Sequence, residues 1–463
     1  MRRLFSRAIP PCRAPLAALA LPALLVFACF VPPAASPAAA RPGAVRPLTG
    51  ARQGADAPRS ACLSGEEAAE AEWVAEARQE RGRLLERVGV EAWHARGHRG
   101  QGVKVAVLDS GFRGYREQLG KSLPPHVTAK SFRRDADLEA RDSQHGILCG
   151  EVIHALAPDA ELLFANWEPD DPHQFLEAVR WAREQGARVI SCSMIMPAWG
   201  DGEGGGPVHA ELARLIGGGD VRDVLCVASA GNTAKRHWSG PFRAAADGWH
   251  QWLPGQADNL LTPLGTERVS VELTWKSGPD YQVVVLGEDG KEVAASAAVP
   301  QAGRLSAAAR FQPEKGRTYR VRVRRLSGEA GSFHCTALGG TLSFVDARGS
   351  VCFPADGPEV LAVGAVDAEG HRMAYSSCGP CAGGPKPDLV APVPFPSLWR
   401  DKPFGGTSAA APQTAALAAL CLSRHPDWTP SRVREALCRS ARQLGGVGPD
   451  TGTGYGVIRL PAE

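Results

Sequence analysis

Beyond its first forty residues, this sequence of 463 residues holds no uninterrupted stretch of about 18 apolar residues, the length a bilayer-crossing helix needs. A helical membrane span is therefore not expected after residue 40. The chain also lacks an excess of either charge, with 52 basic residues against 49 acidic ones. Four arginines (Arg2, Arg3, Arg7 and Arg13) lie in the first forty residues, so 52 − 4 leaves 48 basic against 49 acidic beyond them. A near-neutral chain carries no electrostatic footprint for nucleic acid. Metal chemistry has little support either. The pair in Cys378-Gly379-Pro380-Cys381 would need a second ligand pair at zinc-site spacing, and no loop offers the dense oxygen ligands of a calcium site. No Gly-x-Ser-x-Gly elbow precedes an acid and a base, which argues against a serine esterase or amidase.

What is present begins with an export signal. After the four arginines comes an apolar run over 16–31 and then Ala38-Ala39-Ala40, so residues 1–40 read as a signal peptide cleaved after Ala40. Arg2-Arg3 hints weakly at twin-arginine export, and Val26-Phe27-Ala28-Cys29 faintly resembles a lipoprotein cleavage site. An extracellular, periplasmic or envelope location is expected. Of the 12 cysteines, Cys12 and Cys29 leave with the signal, and the other ten enter a compartment where disulfides persist. Local pairing candidates are Cys335 with Cys352 and Cys378 with Cys381; Cys192 and Cys226 lie in apolar strands and read as buried thiols.

Residues 41–85 form a lead-in: a Pro-, Gly- and Ala-rich stretch over 41–64, then a charged helix over 66–88 with a sparse apolar face. A helix lying on the surface is favoured over a folding prodomain, which would need more residues. From Gly102 onward, apolar strands at 103–108, 161–165, 189–193 and 224–229 alternate with helical spacing such as Phe175, Val179 and Ala182, closed by Gly186. Continuous apolar strands separated by helices predict an α/β fold: a parallel sheet covered on both faces. A further strand is expected at 360–366 and helices at 407–422 and 431–444.

Between 235 and 344 the rhythm changes to alternation, as in Val269-Ser270-Val271-Glu272-Leu273-Thr274-Trp275. This predicts an inserted antiparallel β-sandwich, leaving 86–234 and 345–463 as the main domain. A structural annex is favoured over a binding role for it, since fold alone assigns no function. Trp238, Trp249 and Trp252 read as packing of the insert on the main domain, and His154, His250 and His334 as isolated structural or surface residues.

Four groups carry chemistry. Asp109 in Val107-Leu108-Asp109-Ser110-Gly111 follows an apolar strand, at the sheet edge where α/β enzymes place their sites. His145 precedes Gly146, and Ser408 sits in Gly406-Thr407-Ser408-Ala409-Ala410-Ala411-Pro412, where a loop becomes a buried helix. A serine hydroxyl needs a base, and an imidazole serves best when a carboxylate fixes its tautomer. Asn232 in Ala228-Ser229-Ala230-Gly231-Asn232 supplies an amide donor for a developing oxyanion. Singly these elements are weak; together and in this order they are specific.

With these motifs, joined by Ala157-Pro158, Pro354-Ala355 and the strand over 360–367, the chain resembles the subtilisin-like serine proteases, the subtilase family, over roughly 86–234 and 345–460. The resemblance implies Asp109, His145 and Ser408 as a catalytic triad and Asn232 as the oxyanion residue. It implies further that Ser193, Met194 and Ile195 pair with the substrate backbone, and that Ser229, Ala230 and Gly231 line the first specificity pocket. The inserted sandwich resembles, more loosely, the jelly-roll modules of secreted bacterial subtilases. A monomeric secreted serine endopeptidase acting on polypeptides is expected, with no cofactor; calcium commonly stabilises the family, yet no site for it can be located. Two departures stand out. Ile147 replaces the threonine that usually follows His-Gly, and Ile195 replaces a bare glycine at the pocket rim. They support the rival reading, a catalytically silent subtilase fold that binds peptides or a partner protein.

Overall fold

A computed structural model describes residues 65–139, 143–301, 303–381 and 384–462. The expected signal peptide and the stretch 41–64 lie outside the described residues. Five strands come first: β1 (Lys104–Leu108), β2 (Val127–Ser131), β3 (Glu161–Asn166), β4 (Ala187–Cys192) and β5 (Leu225–Ser229). Nine follow in the insert: β6 (His237–Pro241), β7 (Asn259–Pro263), β8 (Val269–Thr274), β9 (Asp280–Leu286), β10 (Glu292–Ala295), β11 (Ser306–Phe311), β12 (Tyr319–Ser327), β13 (Ser332–Leu338) and β14 (Gly340–Leu342). The chain then returns to the first sheet with β15 (Leu361–Val366) and β16 (Leu389–Pro392).

The first sheet has seven strands in the order β16-β15-β5-β4-β1-β3-β2, and every pairing is parallel. Its central strands are the continuous apolar ones. In β1, Val105 pairs with Leu162 on one side and Val189 on the other, and every residue of β5 and β15 is buried. Strands dry on both faces require helices on both sides. The largest cover is the helix Thr407–Arg424, whose residues are buried from Thr407 to Leu422. Its alanines let it sit among the sheet and the helix His145–Leu156 without bulky spacers.

The N-terminal helix Gly65–Arg87 is bound to this body at its C-terminal half. Arg81 donates to Glu151 Oε1 at 2.7 Å and to the Pro396 carbonyl at 2.6 Å, with its guanidinium 5.1 Å from the Phe395 ring centroid. Glu151, buried in the helix that carries His145, also accepts from Ser397 Oγ and the Leu398 N–H. A buried carboxylate with three donors is a compensated charge.

The insert is two antiparallel sheets, β10-β9-β12-β7-β14 and β11-β8-β13-β6. They close over a core that includes Trp252, Val271, Leu273, Trp275, Val283, Val321 and Phe333. Trp238 and Trp252 pack here and not against the main domain: Trp238 lies 5.1 Å from Trp252, 4.9 Å from His250 and 5.0 Å from Phe333. The pairing of β6 with β13 carries Trp238 into the sandwich. Trp249 lies outside that core, under the guanidinium groups of Arg322 and Arg324. His334 is not isolated: its Nδ1 meets His237 Nε2 at 3.0 Å and its Nε2 meets Glu203 at 3.4 Å, where the insert touches the main domain.

All nine described cysteines are unbridged, so neither expected pairing is formed. Cys335 faces the sandwich core, whereas the neighbours of Cys352 in sequence, Val351 and Phe353, pack in the core beneath the main sheet. Cys378 points its thiol at the Ala347 carbonyl, 3.1 Å away. No described helix is long and apolar enough to cross a membrane.

Candidate active site

Three sheet strands end at one edge, and each delivers part of the site. β1 ends at Leu108, so Asp109 follows directly, fully buried, with its N–H on the Ala165 carbonyl at 3.0 Å. One carboxylate oxygen accepts from the Ser110 N–H at 2.7 Å and Ser110 Oγ at 3.2 Å, and His145 Nδ1 lies 2.8 and 2.9 Å from the two oxygens. These bonds need the Nδ1–H tautomer, which leaves Nε2 with its lone pair. Nε2 is buried and has no partner among the described residues. The Phe404 ring stands edge-on to the imidazole at 5.4 Å.

His145 is the first residue of its helix, and Gly146 explains why the helix can start there. A Cβ at 146 would lie 2.4 Å from Phe112, so only glycine lets the helix approach that ring. One helical turn further, Cys149 points its thiol at Asp109 Oδ2, 3.5 Å away. Burial first, and then the charge of Asp109, push that thiol well above its ordinary pKa, so it remains an S–H donor. Asp109, His145 and Cys149 thus place three ligand-type atoms within 4.8 Å of one another. Metal ligation needs a thiolate, and a protonated thiol fits the role of a fourth donor to the carboxylate better. In the other such group, Asp367 already accepts from the Glu369 and His371 N–H groups.

Ser408 is the second residue of the buried helix, where backbone N–H groups of the first turn have no intrahelical partners. Its hydroxyl donates to the Ser193 carbonyl at 3.4 Å, and the Ser193 hydroxyl donates to the Ser408 carbonyl at 3.1 Å. The Ser408 hydroxyl therefore rests on the strand end and not on His145. Catalytic hydrogen bonds are often long or misaligned before substrate is present.

Asn232, at the end of the β5 segment, is clamped by its carbonyl, which accepts from both the Thr407 N–H and the Thr407 hydroxyl at 3.0 Å. Its Nδ2 is buried and has no partner among the described residues. Gly406, at φ 78°, keeps that donor clear, because a Cβ there would fall 2.9 Å from Nδ2. Thr407 also accepts from the Gly231 N–H at 3.2 Å.

The residues expected to meet substrate surround this centre unequally. Ser193, Met194 and Ile195 continue from β4 and are nearly buried, at 2%, 3% and 8% exposure. Ser229 ends β5 with its hydroxyl unpartnered; Ala230 donates its N–H to Val363, and Gly231 gives its carbonyl to Ser377. Ile195 stands across from Gly231, its Cγ2 only 3.5 Å from where a Cβ on Gly231 would lie. Ile147 is fully buried beside His145, in a position with no polar role. Sequence reading missed Thr407, Phe404 and Cys149. The i, i+4 spacing of His145 and Cys149 could have flagged the last of these.

The family model described as the subtilase family matches residues 100–267 and 290–456. Subtilisin E of Bacillus subtilis (strain 168) is 40% identical over 100 residues, covering 21% of this chain and 25% of the relative. Alkaline elastase YaB of Bacillus sp. (strain YaB) is 35% identical over 121 residues, 25% of this chain and 29% of the relative. The chain thus spans about a quarter of the length of these curated relatives. Among solved structures, the Clostridium perfringens CspB protease superposes with a TM-score of 0.57 over 82% of this chain and 97% of that one, at 15% identity, a likeness of fold. With a family match running through the strand ends and helix starts that carry Asp109, His145, Asn232 and Ser408, the chain belongs to the subtilase family.

Proposed function

We propose that the protein is an exported serine endopeptidase in which Ser408 is the nucleophile, His145 the general base, Asp109 its orienting carboxylate and Asn232 the oxyanion donor. The observation that carries this reading is the Asp109–His145 pair: it fixes the tautomer that leaves a buried Nε2 lone pair without a partner among the described residues, and the Cys149 thiol, 4.0 Å from His145 Nδ1 and 3.8 Å from the Ser408 carbonyl, links that imidazole to the Ser408 helix. In the reaction Ser408 Oγ turns from the Ser193 carbonyl and attacks the peptide carbonyl carbon as its proton passes to His145 Nε2. The carbonyl oxygen becomes an oxyanion and takes the free Asn232 N–H. Collapse breaks the C–N bond, and the imidazolium returns the proton to the leaving amine. Water then repeats the sequence on the acyl-enzyme and releases the acid.

Export rests on the arrangement of residues 1–40, with arginines, an apolar run and small residues in that order. The mature protein would act as a monomer on polypeptides.

The test is labelling of the purified mature protein with a fluorophosphonate serine probe, together with digestion of casein. Labelling that is lost in His145→Ala, alongside casein cleavage, is the expected result. A folded protein that does neither would favour the silent binding fold, the reading suggested by the Ser408 hydroxyl resting on Ser193.

Two consequences follow for variants. Asn232→Ala removes a donor that has no other partner, so kcat should fall about 100- to 1000-fold with KM little changed; a fall shared equally by KM would show that Asn232 binds the ground state. Ile195, set against Gly231, should narrow the primary pocket to small or slender side chains. A positional peptide library in which large aromatics are cleaved equally well would contradict this.

A further inference from the structure

The polar face of the insert is not a wet surface. In β8, Ser270, Glu272 and Thr274 alternate with the core residues Val269, Val271 and Leu273, yet all six are buried. What covers the polar three is the main-domain segment that follows Ser193, Met194 and Ile195. Glu272 Oε2 accepts the Ala198 N–H at 3.0 Å, and a Cβ on Gly202 would fall 2.6 Å from Thr274 Oγ1. The sandwich is thus seated on the direct continuation of the strand expected to pair with substrate.

Between the two bodies lies a small cleft of about 70 Å³. Its floor is apolar, formed by Trp167, Met194, Ile195, Met196 and Trp199, and its main-domain end reaches Ser110, the neighbour of Asp109. The insert supplies the facing wall, with Arg268, Glu272 and Arg310. The charges on that wall do not cancel. The Glu272 carboxylate is shared among the Ala198 N–H, the Ser270 hydroxyl at 2.8 Å and Arg310 at 3.4 Å. Arg268 is half-buried and has no ion pair or hydrogen bond among the described residues. One carboxylate, already spent on three donors, faces two guanidinium groups, so the wall carries a net positive charge beside an apolar floor. Asp170 on the opposite rim is exposed, where water weakens its field.

We propose that the insert is part of the substrate site, and that Arg268 and Arg310 receive an acidic side chain of the bound polypeptide while a neighbouring apolar side chain fills the floor. The inference rests on the protease reading above and deepens it. An extended peptide laid along 193–195 alternates its side chains at a rise of about 3.3 Å per residue, and because Met194 and Ile195 line the cleft, residues paired with them present side chains to it. Arg presents a planar fork that suits a carboxylate, and a partly desolvated pair of this kind discriminates better than an exposed one. Glu272 acts as a positioning residue, tying the insert to Ala198.

The experiment uses the full mature protein and a positional library of internally quenched peptides in matched pairs, glutamate against glutamine and lysine against methionine at each position. At one fixed position glutamate is expected to exceed glutamine about ten-fold or more in kcat/KM, a difference of the size of one hydrogen bond to a charged group. Arg268→Gln combined with Arg310→Gln should bring that ratio close to one, and Arg268→Glu should turn the preference towards lysine. Fluorophosphonate labelling of each variant separates the two readings. Wild-type protein that neither labels nor cleaves any peptide would sink the protease assignment. Protein that labels and cleaves with no glutamate preference, or with a lysine preference that Asp170→Asn abolishes, would overturn the role of the arginines alone.

Discussion

Ser408→Ala is expected to lower kcat for peptide hydrolysis by about 10⁶-fold, the scale of loss known when a subtilisin is stripped of its serine or histidine. The size follows from the division of labour at the site. In the proposed mechanism the Ser408 oxygen forms the acyl-enzyme, and without it the remaining groups would have nothing to activate. They would still bind a polarised carbonyl through Asn232, so some acceleration over water should survive. Stability should hardly change. Ser408 is buried at 1% exposure, but its hydroxyl makes one long bond of 3.4 Å to Ser193, and alanine occupies the same helix position with better propensity. The check is a single-turnover assay beside a urea denaturation curve. A loss of only tenfold or so, with folding intact, would mean that some other group is the nucleophile. A comparable His145→Ala variant should lose about as much, and the double variant little more, because the two act as one unit.

Much of this architecture could be read from the sequence, for a physical reason. β1, β3, β4 and β5 are buried on both faces, and a strand with two dry faces spells a continuous apolar run that alternation cannot mimic. The candidate site residues are legible because each sits where a strand ends or a helix begins, positions that demand particular neighbours. Gly146 is required by Phe112 and Gly406 by Asn232, so the glycines beside the reactive groups are visible traces of close packing. What the sequence did not reveal is which surface covers which. The alternation of Val269 to Thr274 separates two faces of β8 but does not say that the polar one lies against Ala198 and Gly202. That single placement brings Arg268, Glu272 and Arg310 to the cleft. Trp238 and Trp252 depart from expectation for a related reason: nearness in sequence to Asn232 suggests contact with the main domain, whereas antiparallel pairing across nearly a hundred residues carries Trp238 beside Phe333. The described cysteines form no bridge, although composition favours bridges. An export signal suggests bridges, but Cys335 turns into the sandwich core, away from Cys352.

Asp109→Asn is expected to cost about 10⁴-fold in kcat while leaving the backbone of the site in place. Asp109 receives three kinds of donor: the Ser110 N–H and hydroxyl on one oxygen, the His145 imidazole across both, and the Cys149 thiol on Oδ2. An asparagine has one acceptor oxygen to offer. The short bond from the Ser110 N–H, at 2.7 Å, would claim it, because the backbone cannot turn away. The amide NH₂ would then face His145 and Cys149. Its N–H must be accepted by His145 Nδ1, so the ring proton moves to Nε2, and the atom that should take the Ser408 proton already holds one. The loss is therefore one of tautomer and not of geometry, and this distinguishes it from Cys149→Ala, which removes only a weak S–H donor and should cost less than about tenfold. The two cases can be told apart by fluorophosphonate labelling rates with a nitrogen-15 imidazole spectrum. Asp109→Asn should show slow labelling with the proton on Nε2, and Cys149→Ala near-normal labelling with it on Nδ1. If Asp109→Asn kept its labelling rate within tenfold, another group would have to hold the His145 tautomer, and the reach of Asp109 over Nδ1 would be a packing contact only.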